Sequence, residues 1–319
     1  MFRAIHSTGR AMAVLAALYL AIGALVAVAL GNAWRDAQDA AATGSRNLAL
    51  LVENYFVELF DQIDLGLLSL AHEATQNARS GRIAAERLDA FLARNVTALS
   101  DTSRFGLADP EGRVIYTTGG FTDRATLQEY VTTQRFFVAG ATPGASGLYI
   151  APRAEPTDPD GLYLSRRVET RDGEFIGVAF ARLPLSQVED FLSRLDIGAH
   201  GGISLRDPSM GIVVRHPDPQ RLFRGNTNIS PELRALLDSG AARATYYSGG
   251  TWDGTARTVT FTRVGKYPLF IAVGLASSDY LAEWRRTALL LGLAYGTLLA
   301  AGAVGMAMLR RRRVRADGF

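Results

Sequence analysis

The sequence predicts an α+β fold in which a long helix carries two small antiparallel-sheet units, with a membrane-spanning helix at each end. Three observations predict this fold class. Two long stretches contain no charged residue, a heptad-like stripe of apolar residues follows the first stretch, and one series of strand motifs occurs twice in the same order. Together they assign almost every part of the 319-residue chain to an element.

The two uncharged stretches cover residues 11–34 and 287–309. Each exceeds the roughly 20 apolar residues that a helix needs to cross a bilayer, so we predict a transmembrane helix at each position. The small residues of VAVALGNA leave a cleavable signal peptide as the alternative for the first stretch. A signal-peptide core is only about 7–15 residues long, however, and the length of this stretch favours an uncleaved anchor.

Arginines lie on the terminal side of both predicted membrane helices. Two precede the first helix and five follow the second, and positive flanks stay in the cytoplasm. We therefore expect residues 1–10 and 310–319 to be cytoplasmic and residues 35–286 to lie outside. The tails carry seven arginines and one aspartate, so the external part of this +3 chain is net acidic. This charge distribution argues against a nucleic-acid partner, and the absence of cysteine excludes disulfides.

A helical stripe of large apolar residues runs through Asn47–Ala74. Its members are spaced alternately by four and three residues: Phe56, Phe60, Ile63, Leu67 and Leu70. No proline separates the stripe from the first membrane helix, so the pattern predicts one long helix standing on the membrane. We predict a stalk region at residues 35–100, with a break near Ser80-Gly81 and a second helix at Ala84–Leu99. We expect the stripe to pack between two protomers.

A series of strand motifs indicates a duplication. RFGLADPEGRVIYTT reads as a strand, a tight turn at Asp109–Gly112 and a second strand, and ISLRDPSMGIVVRHP repeats this plan 98 residues later. FIGVAFA, at Phe175–Ala181, and FIAVGLA, at Phe270–Ala276, are 95 residues apart, and each follows a strand that ends in Arg-Val. We predict two copies of one α+β unit, each with about five antiparallel strands, at residues 101–197 and 198–286.

The two copies differ in the segment between their hairpin and their last strands. The first copy, which lies farther along the stalk from the membrane, has 42 residues there, Gly119–Asp160, including the helical stretch TLQEYVTTQRFF. The second copy has a shorter segment with a helix, SPELRALLDSG, that Ser230 caps. Long irregular insertions on rigid sheets commonly carry binding sites, so we expect a ligand site in the membrane-distal unit.

The order of these parts resembles the double Cache sensor of bacterial receptors. Local phrases carry the resemblance as well, and they include LVENYFVELFDQIDLGLLSLA, SGLYIAPR, LYLSRRVETRDGEFIGVAFARL and GKYPLFIAVGLASSDYLAEWRR. The likeness covers about residues 35–286 and is greatest to the sensors of membrane-bound diguanylate cyclases and hybrid histidine kinases. It implies two PAS-like units in the periplasm, a bacterial inner-membrane location and a small-molecule ligand in the distal unit. It also implies control of a cytoplasmic diguanylate cyclase or histidine kinase module that these residues do not include.

A candidate ligand site lies on the strand Leu162–Val168 of the distal unit. Strand alternation places Tyr163, Ser165 and Arg167 on one face, and the resemblance implies a pocket between this strand and the helix that holds Phe137. A cationic site with aromatic walls suits a small anion or carboxylate. The alternative is an ordinary solvated strand face, which also contains serine and arginine. The predicted ligand-contact residues are Arg135, Phe137, Tyr149, Tyr163, Ser165 and Arg167.

Two features depart from the double Cache pattern. In the branch that binds amino acids, the helix lining the distal pocket carries an arginine followed, after one residue, by two bulky aromatics. That position is Gln134 here, and Arg135 comes one step later, which argues against ordinary amino-acid sensing. The chain also ends ten residues after the second membrane helix. We expect it to be the sensor portion of a longer receptor; the alternative is a receptor that acts through a partner protein.

The sequence contains no recognisable catalytic or metal-binding motif. The four histidines are scattered, none has a partner at metal-ligand spacing, and no cysteine is present. The stretch GASG, around Ser146, lacks the spacing of a nucleophile elbow. We therefore predict no enzyme activity, no catalytic residue, no metal and no cofactor for this chain. The alternative to a receptor is a membrane-anchored protein-interaction module without a small ligand, acting through a partner protein.

The resemblance also implies a homodimer whose four membrane helices form a bundle in contact with lipid. Small residues spaced four apart occur on both membrane helices, and this spacing lets helices approach closely in lipid. They are Gly23, Ala27 and Gly31 on the first helix and Gly292, Gly296 and Ala300 on the second. We expect these faces to take part in contacts between protomers.

Overall fold

The computed structural model describes residues 2–78, 90, 104–118, 131–151 and 158–316. Apart from Ala90, the helix predicted at Ala84–Leu99 lies outside these residues, as does much of the distal excursion. The helices are α1 (Phe2–Ala78), α2 (Arg135–Ala141), α3 (Leu185–Ser193), α4 (Pro231–Asp238), α5 (Ser277–Tyr280) and α6 (Ala282–Ala316). The strands are β1 (Arg104–Ala108), β2 (Val114–Thr117), β3 (Tyr149–Ile150), β4 (Gly161–Glu169), β5 (Phe175–Pro184), β6 (Gly202–Arg206), β7 (Ile212–His216), β8 (Arg243–Ser248), β9 (Arg257–Arg263) and β10 (Phe270–Ala276). Two 3-10 turns lie at Val131–Thr133 and Pro219–Arg221.

The described strands form two five-stranded antiparallel sheets with the same topology. Their orders are β2-β1-β5-β4-β3 and β7-β6-β10-β9-β8, so each strand of the first sheet has an equivalent in the second. Both hairpins close on the predicted Asp-Pro turns: Gly112 donates to the carbonyl of Asp109, and Met210 to that of Asp207, each at 2.9 Å. The predicted α+β fold and the duplication are therefore confirmed.

The repeated strand motif is less regular in space than in sequence. Gly106 of β1 pairs with Phe180 of β5, whereas Ser204, at the same distance before its Asp-Pro turn, pairs with Ala272 of β10. Phe180 and Ala272 are therefore structurally equivalent. The 95-residue spacing of FIGVAFA and FIAVGLA instead matches Phe180 with a residue three positions after Ala272. The β4–β5 ladder contains an irregularity after Val168 that the β9–β10 ladder lacks, so equal sequence spacing does not give equivalent positions.

The helix α1 is uninterrupted over 77 residues and joins the first membrane segment to the stalk. Its apolar stripe is a single buried face, and all five members are fully buried. They belong to one core with side chains from both sheets, including Leu162, Leu164, Ile203 and Ile271. The expectation that the stripe packs between protomers is wrong, because the chain's own two sheets cover it. The opposite face of α1 leaves Leu51, Leu65 and Leu68 exposed.

Polar contacts attach α1 to both units at different heights. The buried hydroxyl of Ser45 donates to the carbonyl of Val273 at 2.8 Å and lies 2.9 Å from Oγ1 of Thr260, in the proximal unit. Farther from the membrane, the carboxylate of Asp64 pairs with the guanidinium of Arg166, with Oδ2 2.9 Å from Nη2. These contacts fix the position of each unit along the helix.

A second set of contacts joins the two units directly. Arg221 and Arg224, in the segment after β7, form salt bridges with Asp160 and Glu189 of the distal unit. Arg224 also donates to the carbonyl of Pro159 at 2.6 Å, and its side chain is only 16% exposed. The proximal unit therefore holds the segment that leads directly into β4 of the distal unit.

The helices α1 and α6 contain stretches long and apolar enough to cross a membrane, within Ala13–Gln76 and Ser277–Met308, and no residue in the most apolar part of each is buried. The two helices contact each other, because the hydroxyl of Tyr295 donates to the carbonyl of Tyr19 at 2.9 Å. Gly23 makes this approach possible: a methyl group there would lie 2.5 Å from the Tyr295 oxygen. This small residue thus serves a contact within the chain.

We expect Phe60→Ala to destabilise the protein by about 3–5 kcal/mol, because it leaves a cavity where a fully buried ring joins α1 to the sheets. Leu65→Ala, on the exposed face of the same helix, is the matched control and should change stability by less than about 0.5 kcal/mol. Thermal unfolding of the full chain in detergent measures both. Equal effects of the two substitutions would contradict the assignment of the buried face.

Candidate functional site

The candidate site of the distal unit lies where α2 covers the sheet. The stretch predicted as one helix, TLQEYVTTQRFF, is divided in its described residues into the 3-10 turn Val131–Thr133 and α2, which begins at Arg135. Gln134 between them has extended backbone, with φ −73° and ψ 140°. The β-branched run before Gln134 disfavours a continuous helix. The prediction of a single helix is therefore wrong at this point.

Aromatic stacking and one hydrogen bond hold α2 on the sheet. The ring of Phe136 stacks on Tyr163 of β4, with centroids 4.7 Å apart, and lies 4.9 Å from the ring of Phe180 of β5. The hydroxyl of Ser165 donates to the backbone carbonyl of Phe136 at 2.7 Å, and Ser165 is fully buried. Phe137 is also buried and packs near Gly112 of the β1–β2 turn. Three of the predicted ligand-contact residues, Phe137, Tyr163 and Ser165, thus also hold α2 on the sheet.

Asp158 and Arg182 lie beside this aromatic stack, and neither is among the residues predicted from the sequence. Arg182 donates through Nε and Nη2 to the Asp158 carboxylate, with Nη2 2.8 Å from Oδ1, and the Tyr163 hydroxyl donates to Oδ2 at 3.0 Å. Burial raises the pKa of Asp158, but hydrogen bonds and the charge of Arg182 lower it further, so its pKa lies below the usual range. Burial and the neighbouring Asp158 carboxylate raise the pKa of Tyr163.

Arg167 is held at the carboxyl end of α2. Its Nη1 donates to the carbonyl of Ala141 at 2.8 Å, its Nε pairs with Glu169, and its guanidinium lies 4.2 Å from the centroid of the Phe175 ring. The side chain is only 10% exposed. A cation at this position complements the partial negative charge of a helix carboxyl terminus. Arg167 is therefore fixed in place before any ligand arrives.

The six residues predicted to contact a ligand do not all lie together. Tyr163, Ser165 and Arg167 share the face of β4 that α2 covers, as strand alternation predicts. The alternative of a solvated face does not hold for Tyr163 or Ser165, which are buried. Tyr149 pairs with Ser165 across β3 and β4 and is partly buried, whereas Arg135 is exposed on α2.

The arrangement offers charged and hydroxyl groups in a largely apolar setting. Arg167 and the Asp158–Arg182 pair lie on the same side of the sheet as the aromatic stack. Such groups can bind the polar ends of a small molecule, and no group of acidic and histidine side chains that could hold a metal occurs among the described residues. Residues 119–130 and 152–157, which complete the excursion, lie outside the described part of the chain.

A cavity in the proximal unit is not indicated by any pattern in the sequence. It lies between the second sheet and α4, whose predicted cap is confirmed, since Ser230 Oγ accepts from the backbone N–H of Leu233 at 3.3 Å. Three arginines line this cavity: Arg206, Arg215 and Arg257. Each comes from a different strand, so only the sheet pairing brings them together.

Comparison with solved structures identifies the fold. No family model and no curated protein matches the chain. The extracellular domain of a candidate histidine kinase, rpHK1S-Z16, matches with 22% identity and a TM-score of 0.60, over 76% of this chain and 97% of that one. The ligand-binding domain of the Campylobacter jejuni chemoreceptor Tlp3, in complex with L-valine, matches with 12% identity and a TM-score of 0.53, over 77% and 96%.

A second candidate histidine kinase, mmHK1S-Z2, has an extracellular domain that matches with 11% identity and a TM-score of 0.51, over 75% of this chain and 99% of that one. The chain therefore has the fold of the extracellular sensory domains of histidine kinases and chemoreceptors. The resemblance to a double Cache sensor is confirmed at the level of fold.

We expect Asp158→Asn to destabilise the protein at neutral pH by on the order of 2 kcal/mol, because it weakens the charged hydrogen bonds from Arg182. The pKa of Asp158 is lowered on folding, so the ion pair stabilises the fold above about pH 4 and this contribution is lost as the pH falls through the folded pKa. In thermal unfolding, the difference in unfolding midpoint between wild type and Asp158→Asn should therefore shrink below about pH 4.

The matched control for this pH dependence is Asp172→Asn, on the exposed β4–β5 turn, which should change the unfolding midpoint little at any pH. The role assigned to the pair would be contradicted if the unfolding midpoints of wild type and Asp158→Asn differed equally, or more, at pH 3 than at pH 7.

Proposed function

We propose that this chain is a transmembrane signal receptor whose extracytoplasmic double Cache region binds a small molecule and regulates a cytoplasmic output. The observation that carries the proposal is that α1 crosses from the apolar segment into the stalk without a break and supplies one core to both sheet units. A sensor needs such a rigid connection, because a ligand acts on the output only by favouring one arrangement of the connected parts. The output is a diguanylate cyclase or a histidine kinase module.

The receptor lies in the bacterial inner membrane, with residues 35–286 in the periplasm and both termini in the cytoplasm. The arginine flanks support this orientation through the positive-inside tendency. The two apolar helices support it as well, since they run side by side and return the chain to the side where it began. The sheet units then lie together on one side of the membrane.

The ligand binds in the distal unit and carries a carboxylate or another small anionic group. Arg167 supports this assignment, because Ala141 and Phe175 hold its guanidinium in place on the face of β4 that α2 covers. Tyr163 supplies the aromatic wall, and Asp158 with Arg182 supplies a second polar group beside it. In Tlp3 the same fold holds L-valine, an amino acid whose carboxylate is of this class.

The signal passes to the membrane through two continuous connections. One is α1, and the other begins where β10 ends at Ala276 and α5 and α6 follow directly. At the membrane surface the indole of Trp284 on α6 donates to the carbonyl of Leu30 on α1 at 2.8 Å. A shift of the sheet units relative to α1 therefore changes how α6 meets α1, and a coupling of about 1–3 kcal/mol is typical of such transitions.

The receptor acts as a homodimer, and the contact surface differs from the one expected from the sequence. The buried stripe is covered by the chain's own sheets, but Leu51, Leu65 and Leu68 form an exposed apolar row on the other side of α1. On α6, Gly292 and Gly296 have open space around them, so a second helix can approach closely. Both surfaces are therefore open to a partner copy.

A membrane-anchored protein-interaction module without a small ligand remains the second candidate. The stacking of Phe136 between Tyr163 and Phe180 favours it, since these rings occupy the space between α2 and the sheet in the described residues. The two candidates differ in one measurable respect: only a receptor gains stability from a small ligand by mass action.

We expect a panel of short carboxylates and amino acids to contain a compound that raises the unfolding midpoint of the purified full chain. Arg167→Ala should weaken the binding of that compound at least tenfold, because it removes the pre-positioned cation. Arg171→Ala, on the exposed β4–β5 turn, is the charge-matched control and should bind normally. Calorimetry measures both. Unchanged affinity in Arg167→Ala and in Tyr163→Ala would refute the distal site.

Since the chain has no cysteine, single introduced cysteines can report the dimer contact. We expect oxidative cross-links in membranes for Leu65→Cys and Gly296→Cys, because both positions lie on exposed surfaces. Phe60→Cys is the control and should not cross-link, since its side chain is fully buried within the chain. No cross-link at any of the three positions would argue against the dimer, and cross-linking only at Phe60 would argue against this contact surface.

A further inference from the structure

The proximal unit has a partly open cavity of about 50 Å³ between its sheet and α4. Its described lining contains the three arginines Arg206, Arg215 and Arg257 and no acidic side chain. The volume suits a group of a few non-hydrogen atoms, since a single water needs at least about 10–15 Å³ by the same kind of measure. The cavity is thus small and partly apolar, with three cationic side chains in its lining.

The cavity exists because the two units fill equivalent positions differently. In the distal sheet, Phe180 lies opposite Gly106, and its ring would collide with any side chain at that glycine. In the proximal sheet the equivalent pair is Ala272 opposite Ser204. Because the proximal unit has a methyl group where the distal unit has an aromatic ring, the space over this face of the proximal sheet is not filled. The space above Ala272 is therefore a property of this unit and not of the shared fold.

Arg206 is the most unusual residue of this lining. It is 3% exposed, and it occupies the position that corresponds to the fully buried Ala108 in the distal unit. Its Nη1 donates to the carbonyl of Met210 at 2.5 Å, while its Nε is buried and has no hydrogen-bond partner among the described residues. Burial lowers the pKa of Arg206 to about 10, which reflects the cost of keeping this charge away from water.

The two other arginines share one carboxylate that lies behind the lining. Arg215 Nη2 lies 2.9 Å from Oδ2 of Asp253, and Arg257 Nη1 lies 2.6 Å from Oδ1 of the same group. The guanidinium of Arg215 also lies 5.0 Å from the centroid of the Trp252 ring. The carboxylate of Asp253 thus forms salt bridges with two guanidinium groups.

The nearest acidic neighbour of Arg206 in sequence, Asp207, is engaged in the turn. Its Oδ1 accepts from the backbone N–H of Gly211 at 2.8 Å and from the Ser209 hydroxyl at 2.6 Å. Asp218 faces Arg215 from outside the lining. The guanidinium groups of Arg206, Arg215 and Arg257 therefore bring positive charge to the cavity lining. Arg257 already donates to the carbonyl of His200, to Thr251 and to Asp253, whereas Nε of Arg206 has no hydrogen-bond partner among the described residues.

We propose that this cavity is a second ligand site, which takes a small oxyanion such as the carboxylate of a short organic acid. The anion would accept a charge-assisted hydrogen bond from Arg206 and would offset the cost of burying its charge. The hydroxyls of Ser204 and Tyr246, which also line the cavity, can donate further hydrogen bonds. The site is separate from the distal pocket and does not depend on the ligand proposed there.

The test uses the full chain in detergent, with sodium acetate compared against sodium chloride at equal ionic strength. We expect acetate to raise the unfolding midpoint more than chloride does, by mass action on the folded state. Arg206→Met should bind acetate at least tenfold more weakly, while its unfolding midpoint without acetate equals or exceeds that of wild type, because a buried charge is removed without loss of volume. Arg234→Met, on the exposed side of α4, is the control and should respond as wild type does.

Two further variants decide where acetate acts. Ala272→Leu partly fills the cavity, so it should abolish the acetate effect even where the arginines are intact. Arg167→Ala removes the distal cation and should leave the acetate effect unchanged. An acetate effect equal to that of chloride in wild type, one that persists in Arg206→Met or Ala272→Leu, or one that is lost in Arg167→Ala would overturn the proposal.

Discussion

The architecture depends on one contact, the packing of a single face of α1 against both sheets. The five aromatic and aliphatic side chains of this face are fully buried and belong to the same core as strands from each unit. Burying such side chains stabilises a protein by about 1.5–3 kcal/mol each, so the stripe contributes a large share of what holds the units to the helix. Because one helix packs against both units, the order of the units along the stalk is fixed as well.

This packing also decides which side of each sheet is available for binding. The stripe covers one face of both sheets, and the second face is left to α2 in the distal unit and to α4 in the proximal unit. The two units then differ by what stands on that second face. Phe136, Tyr163 and Phe180 fill the described part of the distal one, whereas Ala272 and Gly274 leave room in the proximal one.

The sequence was sufficient for those parts of the fold that depend on local pattern. Apolar length predicted the membrane helices, spacing predicted the buried stripe, and Asp-Pro pairs predicted the hairpin turns. The partner of the stripe could not be deduced, because alternating steps of three and four suit a sheet as well as another helix. The pairing of Asp158 with Arg182 joins residues that are far apart in sequence, and no short pattern indicates it. The proximal arginines were missed for the same reason, since one arginine per strand resembles a solvated surface.

The alternation of faces on β4 has a consequence for how such a protein can change over generations. Leu162, Leu164 and Arg166 contact α1 or its core, while the residues between them face α2. A substitution at one of these intervening positions therefore alters the face beneath α2 and leaves unchanged the residues of β4 that attach it to the stalk. In the proposed receptor, selection can reshape the recognition surface of the distal unit while its connection to the stalk is inherited intact. A duplicated sensor of this kind would then respond to new chemical cues and keep its means of transmitting them.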